Sequence, residues 1–228
     1  MKCVSIQIAL FFESQLQEAE IYARRINQRM GQLFDGKMQI LNLPKEIAED
    51  IPVEIPIVQW LDQTEHYQLS VSKSRCDLHI NVDLLNQTSL TNSVQSKKGM
   101  MEDFIGSVLG DSEKIIRMGV IVVGFEESSN APEEIIRKYF TGTHKKIKEI
   151  SFRINQESTV EGYEINNILD VTAGDVINEA LGINDKGIIY QRDINNVVNG
   201  VHMTLKSAKK ILAYALSCTT NKKMGVVE

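Results

Sequence analysis

Apolar and polar residues change period several times along the chain, and each change marks an element. Residues 4–12 alternate with period two. Val4, Ile6, Ile8, Leu10 and Phe12 fall on one face, and Ser5, Gln7, Ala9 and Phe11 on the other, which predicts a half-buried strand. Ser14, with Gln17 three residues on, has the form of a capping box. Leu16, Ala19, Ala23, Ile26, Met30 and Leu33 then recur at helical spacing, with acidic residues leading and basic ones following, as the helix dipole prefers. Asp35-Gly36 supplies a turn before a strand at 37–43. Residues 44–56 hold three prolines and an acidic cluster and read as a connection. Strands follow at 57–61, 66–71 and 76–82, the last two forming a hairpin around 72–75. The Ser/Thr/Asn-rich stretch 86–95 reads as a flexible loop. Helical spacing resumes near Ser96 with Met100, Met101, Phe104, Ile105 and Val108, and Gly110 is a natural stop.

The most continuously apolar run, residues 115–125, opens the second half. It is β-branched, and from Gly119 onward both its faces are apolar, so it is expected inside a sheet and covered on both sides. Ala131-Pro132-Glu133-Glu134 starts a short helix through Ile135, Ile136, Tyr139 and Phe140 that ends near Gly142. Alternation predicts strands at 146–154, 163–171 and 186–194. Residues 175–181 fit either a strand or a helix. A closing helix at 204–219 turns Leu205, Ala208, Ile211, Leu212, Ala215 and Leu216 inward, and 221–228 reads as a frayed end.

The two halves, residues 1–113 and 114–228, thus share the order β-α-β-β-β-β-α. Short echoes support the alignment, such as Phe34-Asp35-Gly36-Lys37 against Phe140-Thr141-Gly142-Thr143. The period is that of a duplicated domain rather than a solenoid. The expected fold is α+β: two β-α-β(3-4)-α repeats forming one curved antiparallel sheet with helices on one face, and strands 4–12 and 115–125 adjacent at its centre. This order resembles the TATA-binding-protein-like fold. It also resembles a sporadically distributed family of uncharacterised bacterial proteins, in which a Pro-rich connection, here 52–56, precedes a strand pair. In that family a strand-then-acid pattern, here 188–193, precedes the closing helix. The resemblance brings no activity with it.

The DNA-binding version of that fold needs basic residues and apolar wedges on its open face. Alternation instead leaves Ser5, Gln7, Ala9, Phe11, Gln68, Ser70, Ser72, Asp77, His79, Asn81 and Asp83 there, a polar, neutral to acidic surface that argues against minor-groove binding. Charge agrees: residues 1–113 hold 16 acidic and 10 basic residues, and 114–228 hold 14 and 15. No apolar run approaches a membrane span, and the N-terminal stretch reads as a strand rather than a signal peptide, so the expected location is cytoplasmic. Three widely spaced cysteines do not form a disulfide framework.

Motifs for chemistry are absent: no glycine-rich phosphate loop, no G-x-S-x-G, no two histidines at helical ligand spacing. Cys76 and His79, three apart on a strand, point to opposite faces and cannot share an ion without a bulge. The sequence therefore implies no catalytic residue, metal or cofactor. It points to a non-enzymatic binding module, a homodimer or a component of a bacterial or phage complex. The candidate partner-binding residues are Gln68, Ser70, His79 and Asn81, with Trp60 as an aromatic anchor or, equally, a core residue. Two alternatives stand beside this. A small molecule or nucleotide would use a cavity between sheet and helices. Weak nucleic-acid binding would use Lys145, Lys146 and Lys148, a cluster that otherwise reads as a solvated turn and strand edge.

Overall fold

In the computed structural model, which describes residues 1–41, 51–83, 89–141, 147–178 and 183–227, two long strands pair at the centre of a sheet. They are β1 (Lys2–Phe12) and β6 (Ile115–Glu127), antiparallel from Lys2 opposite Phe125 to Phe12 opposite Ile115. Beside β1 lie β5 (Arg75–Asn81), β4 (Tyr67–Val71), β3 (Val58–Leu61) and β2 (Met38–Ile40). Beside β6 lie β9 (Ile183–Asn196), β8 (Tyr163–Asn178) and β7 (Ser151–Val160). The fold is α+β: nine strands in one open antiparallel sheet, with five helices among the described residues. These are α1 (Ala19–Arg29), α2 (Leu90–Ser96), α3 (Lys98–Leu109), α4 (Ala131–Tyr139) and α5 (Leu205–Cys218).

Residues directly opposite one another in an antiparallel pair share a face, so the register sorts the side chains. Ile6, Ile8 and Leu10 face the same way as Ile80, Leu78 and Cys76 on one side and Val122, Val120 and Met118 on the other. All nine are at most 1% exposed. Tyr22 and Ile26 of α1, Phe104 and Ile105 of α3, and Ile211 and Leu212 of α5 join them in one apolar cluster. Each such side chain contributes roughly 1.5–3 kcal/mol on burial. This face is helix-covered. On the opposite face Ile121 and Val123 of β6 stay half-exposed, so the strand expected to be covered on both sides is covered on one. Antiparallel sheets tolerate this, since only one face has to meet the helix layer.

Three further expectations change, and one left open is resolved in part. Val4 does not share the core face with Ile6: the register shifts between Cys3 and Ser5, a bulge that seats Cys3 in the core in its place. The first helix begins at Ala19, not after Ser14, and its N-cap Glu18 makes no side-chain bond. The N–H groups of Phe12, Glu13 and Leu16 are already donated to Ser74, Lys114 and Lys73 carbonyls at 2.9, 2.8 and 2.8 Å, which ties residues 12–16 to the strand ends nearby. Within 86–95, residues from Leu90 form α2. Ser89 caps it by accepting from the Asn92 N–H at 3.2 Å, and Leu90 and Val94, one turn apart, are buried. Finally, 175–178 continue β8, while 179–182 lie outside the described residues. The second half therefore has three strands after its first helix where the first half has four, and the first half closes with two described helices.

Gly187 on β9 shows how tightly the sheet is built at its arm. A Cβ there would stand 2.7 Å from Cε2 of Phe125 and would overlap the Glu126 carbonyl oxygen. Gly187→Ala is expected to destabilise the fold by about 2 kcal/mol or more, because backbone must move to admit the methyl. Urea denaturation of the variant checks this, with unchanged stability as the contrary outcome.

Candidate functional site

Four of the residues singled out from sequence fall together on the open face. Gln68 lies opposite His79 and Ser70 opposite Asp77, while His79 and Asn81 lie opposite Gln7 and Ser5 of β1. Three of the four, Gln68, Ser70 and Asn81, have their polar groups engaged locally. Gln68 donates to the Ser70 hydroxyl at 3.1 Å, Asn81 to the Glu65 carbonyl at 3.2 Å, and Gln7 to the Asp77 carboxylate at 3.1 Å. Ser70 and Asp77 are buried, at 3% and 2% exposure. Burial pushes the Asp77 carboxyl above its ordinary 3.8, against the pull of Arg75, whose Nε lies 3.0 Å from Oδ2. Burial also holds the His79 imidazole below its ordinary 6.5, against the attraction of Asp77.

Trp60 faces the other way. It lies opposite Leu69 and Met38, packs half-buried on the helix-covered side, and carries the Arg24 guanidinium 5.8 Å from its ring centroid. Lys145 and Lys146 lie outside the described residues, and Lys148 is exposed in the segment before β7. Cys76 is buried on the helix side and His79 sits on the open face. Among the described residues no cluster of three His, Cys, Asp or Glu is placed to hold a metal ion.

Two networks on the open face were not visible in the sequence, because register alone brings their members together. Phe11 is flanked by Arg75 and Arg117, whose guanidinium carbons lie 5.7 and 5.1 Å from its ring centroid. An asparagine ladder crosses three strands: Asn155 on β7 donates to Asn166 on β8 at 2.9 Å, and Asn166 to Asn195 on β9 at 3.2 Å. Asn195 also accepts from Arg117 at 3.1 Å and donates to Asp193 at 2.9 Å. Asn155, Asn166 and Asn195 are thus bonded in series across three strands, and Arg117 is bonded to the end of the series.

The other feature lies at the sheet's edge. β7 ends the strand order, so on its outer side no strand pairs with it among the described residues. Its exposed residues Ser151, Arg153, Asn155, Glu157 and Thr159 alternate with half-buried ones. On the helix side, Phe152 and Ile154 form one wall of a groove of about 580 Å³, completed by Tyr139 at the end of α4, by Phe140 just after it, and by Val226 and Val227. Phe152 meets Tyr139 and Phe140 edge-on, at 4.7 and 5.6 Å between centroids. Phe140, Val226 and Val227 are nevertheless 42%, 39% and 41% exposed.

The far wall of that groove is the C-terminal segment expected to fray, and a buried arginine holds it. Arg192, 2% exposed on the helix side of β9, donates to Asn167 at 2.8 Å and to the carbonyls of Met224 and Lys223 at 3.0 and 3.1 Å. It also donates to the Val226 carbonyl. The Tyr139 hydroxyl donates to the Gly225 carbonyl at 2.5 Å, and Met224 is fully buried. A cleft of about 870 Å³ lies elsewhere, between α1, α3 and the start of α5. Within it Arg29 donates to the Ser107 carbonyl at 2.8 Å, and Lys209 pairs with Glu102 at 3.7 Å.

Searches against protein-family models and curated proteins return no match to this chain.

Two outcomes follow from this geometry. Arg192→Met leaves three carbonyls and Asn167 without their donor, so stability is expected to fall by about 3 kcal/mol. Amide exchange at 222–227 should accelerate; native protection there would refute the pinning role. His79 binds a proton less readily folded than unfolded, so unfolding free energy should fall as pH drops from about 7.5 through 6.5. Denaturation of His79→Gln across that range is expected to lose this slope. Asp77 acts in the opposite sense at lower pH: with its folded pKa raised, the stability it gives is present below 3.8 and is lost as pH rises through the folded value.

Proposed function

We propose that this chain is a non-enzymatic interaction module that docks another polypeptide along β7 and into the groove beside it. The observation that carries the reading is the juxtaposition of a ten-residue edge strand with exposed Phe140, Val226 and Val227. An extended segment added to such an edge gains main-chain hydrogen bonds, and alternate side chains enter an adjoining pocket. The open face was the sequence-based choice for this role, but several of its polar groups (Gln7, Gln68, Ser70, Asn155 and Asn195) are bonded to neighbours, so docking over them would first have to break those bonds.

A second reading uses the same groove for a small molecule. Its volume lies in the usual range of ligand sites, and it sits between sheet and helix as a ligand cavity should. It is the weaker reading, because Lys138 is the one charged group among its lining residues and packs over the Tyr139 and Tyr190 rings, 5.2 and 5.0 Å from their centroids.

The reading also includes an origin by duplication in a TATA-binding-protein-like arrangement. It is supported by the strand order, which runs outward from β1 as β5-β4-β3-β2 and outward from β6 as β9-β8-β7.

The test places a photo-crosslinking residue in the full chain at Arg153 or Phe140, with Gln39 on the opposite edge and Asn81 on the open face as controls. Polypeptide adducts are expected at Arg153 and Phe140 and not at the controls. Adducts confined to Asn81 would return the role to the open face, and equal labelling at all four would remove the docking reading.

A further inference from the structure

Opposite charges four residues apart on an edge strand have a specific consequence under two-fold symmetry. A strand paired antiparallel with its own copy about an axis normal to the sheet keeps each residue on its own face. Such a pairing is therefore centred on a residue, never between two. Two registers keep residues 151–160 of both copies almost fully overlapped, one centred on Asn155 and one on Gln156. Centring on Gln156 sets Arg153 against Thr159 and Glu157 against Asn155. Centring on Asn155 sets Arg153 against the partner's Glu157, twice, and Asn155 against itself.

We infer that the polypeptide docking on β7 is a second copy of this chain, paired about Asn155 so that two nine-stranded sheets become one continuous sheet with all helices on the same side. The inference rests on the docking reading of this edge and names its occupant. Three observations support it. Arg153 and Glu157 are exposed, and neither side chain makes an ion pair or hydrogen bond among the described residues, although Arg153 lies opposite Asp170 in the register. Both point to the open face, where no helix among the described residues stands in the way of the partner's side chains. The asparagine ladder Asn195–Asn166–Asn155 ends at the proposed axis, with one Asn155 amide hydrogen and its Oδ1 left to meet the same groups of the partner.

The pairing also explains the groove. On the helix side it sets Phe152 against the partner's Ser158. In each copy the Ser158 hydroxyl lies 3.0 Å from the Tyr214 hydroxyl of α5. The partner's Tyr214 is thereby brought beside Phe152, at the mouth of the apolar groove.

Sedimentation equilibrium of the full chain over a concentration series is expected to show a dimer of twice the 25.7 kDa chain mass. Arg153→Glu and Glu157→Arg should each weaken it by about tenfold or more, since every attraction at the axis becomes a like-charge contact. The double variant should restore it, which general damage to the strand would not do. Asn155→Cys is expected to cross-link to its own copy on oxidation, with Cα atoms about 4.5–5.5 Å apart, while Gln156→Cys is not. The native cysteines are buried and supply no background reaction. A monomer at every concentration overturns the inference, as does a dimer indifferent to Arg153→Glu, or cross-linking through Gln156→Cys in place of Asn155→Cys. A monomer that still forms adducts with a different polypeptide at Arg153 and Phe140 leaves the docking reading standing and removes the second copy. A monomer without such adducts removes both.

Discussion

The β1–β6 ladder is the set of hydrogen bonds that turns two half-sheets into one. Among the described residues no other strand pair joins the first half of the chain to the second. Its register decides which helices meet: Leu90 of α2 reaches across to Gly124 of β6, whose missing side chain makes the approach possible, and Lys209 of α5 reaches Glu102 of α3. A slip of one residue would carry Ile6, Ile8 and Leu10 to the open face and leave Gln7 and Ala9 beneath the helices. At roughly 1.5–3 kcal/mol for each displaced side chain, that alternative is excluded by several times the stability of an ordinary domain's weakest contacts. The rest of the sheet inherits this choice strand by strand.

The features set by period were legible in the sequence, and those set by register were not. Alternation located β1, β4 and β5 within a few residues, and the apolar run at 115–125 marked the strand that is found at the centre beside β1. Hydrophobicity could not say how many layers would cover that strand, because Ile121 and Val123 look alike whether they meet a helix or water. α2 was hidden by composition: two apolar residues one turn apart in a run of Ser, Thr and Asn carry little periodic signal, and the Ser89 cap shows as a cap only once the helix exists. The start of α1 was misplaced because the backbone donors of residues 12–16 are satisfied from distant strand ends. The docked C-terminal segment did leave a trace. Ile188, Tyr190, Arg192 and Ile194 alternate onto one face, and an arginine in that apolar row requires buried acceptors from somewhere. The tail's carbonyls are among them.

The open face and the β7 edge divide between them what the helices leave uncovered, and they solve exposure differently. Away from the β7 margin the open face largely satisfies itself: Phe11 is shielded between two guanidinium groups, and the amides of Asn155, Asn166 and Asn195 are bonded in series. Such networks stiffen a surface because each bond orients the next. They also lower what a partner could gain there, since every new hydrogen bond replaces an existing one. A strand edge cannot satisfy itself in this way, because its outward N–H and C=O groups are fixed in the backbone.

The two edges of the sheet differ in how they meet this constraint. β2 is three residues long and offers little template, one of the usual protections of an edge. β7 has ten residues and no bulge in its pairing with β8. Charge is the remaining protection, and its sign pattern matters more than its presence. Two like charges on a strand repel an antiparallel copy in every register that brings them near one another. Arg153 and Glu157 are of opposite sign and equidistant from Asn155, so the same symmetry that would make like charges a barrier makes these an attraction. An edge built solely to stay solitary would gain from two lysines at these positions. This one carries a sign pattern that a copy of itself, paired about Asn155, would match.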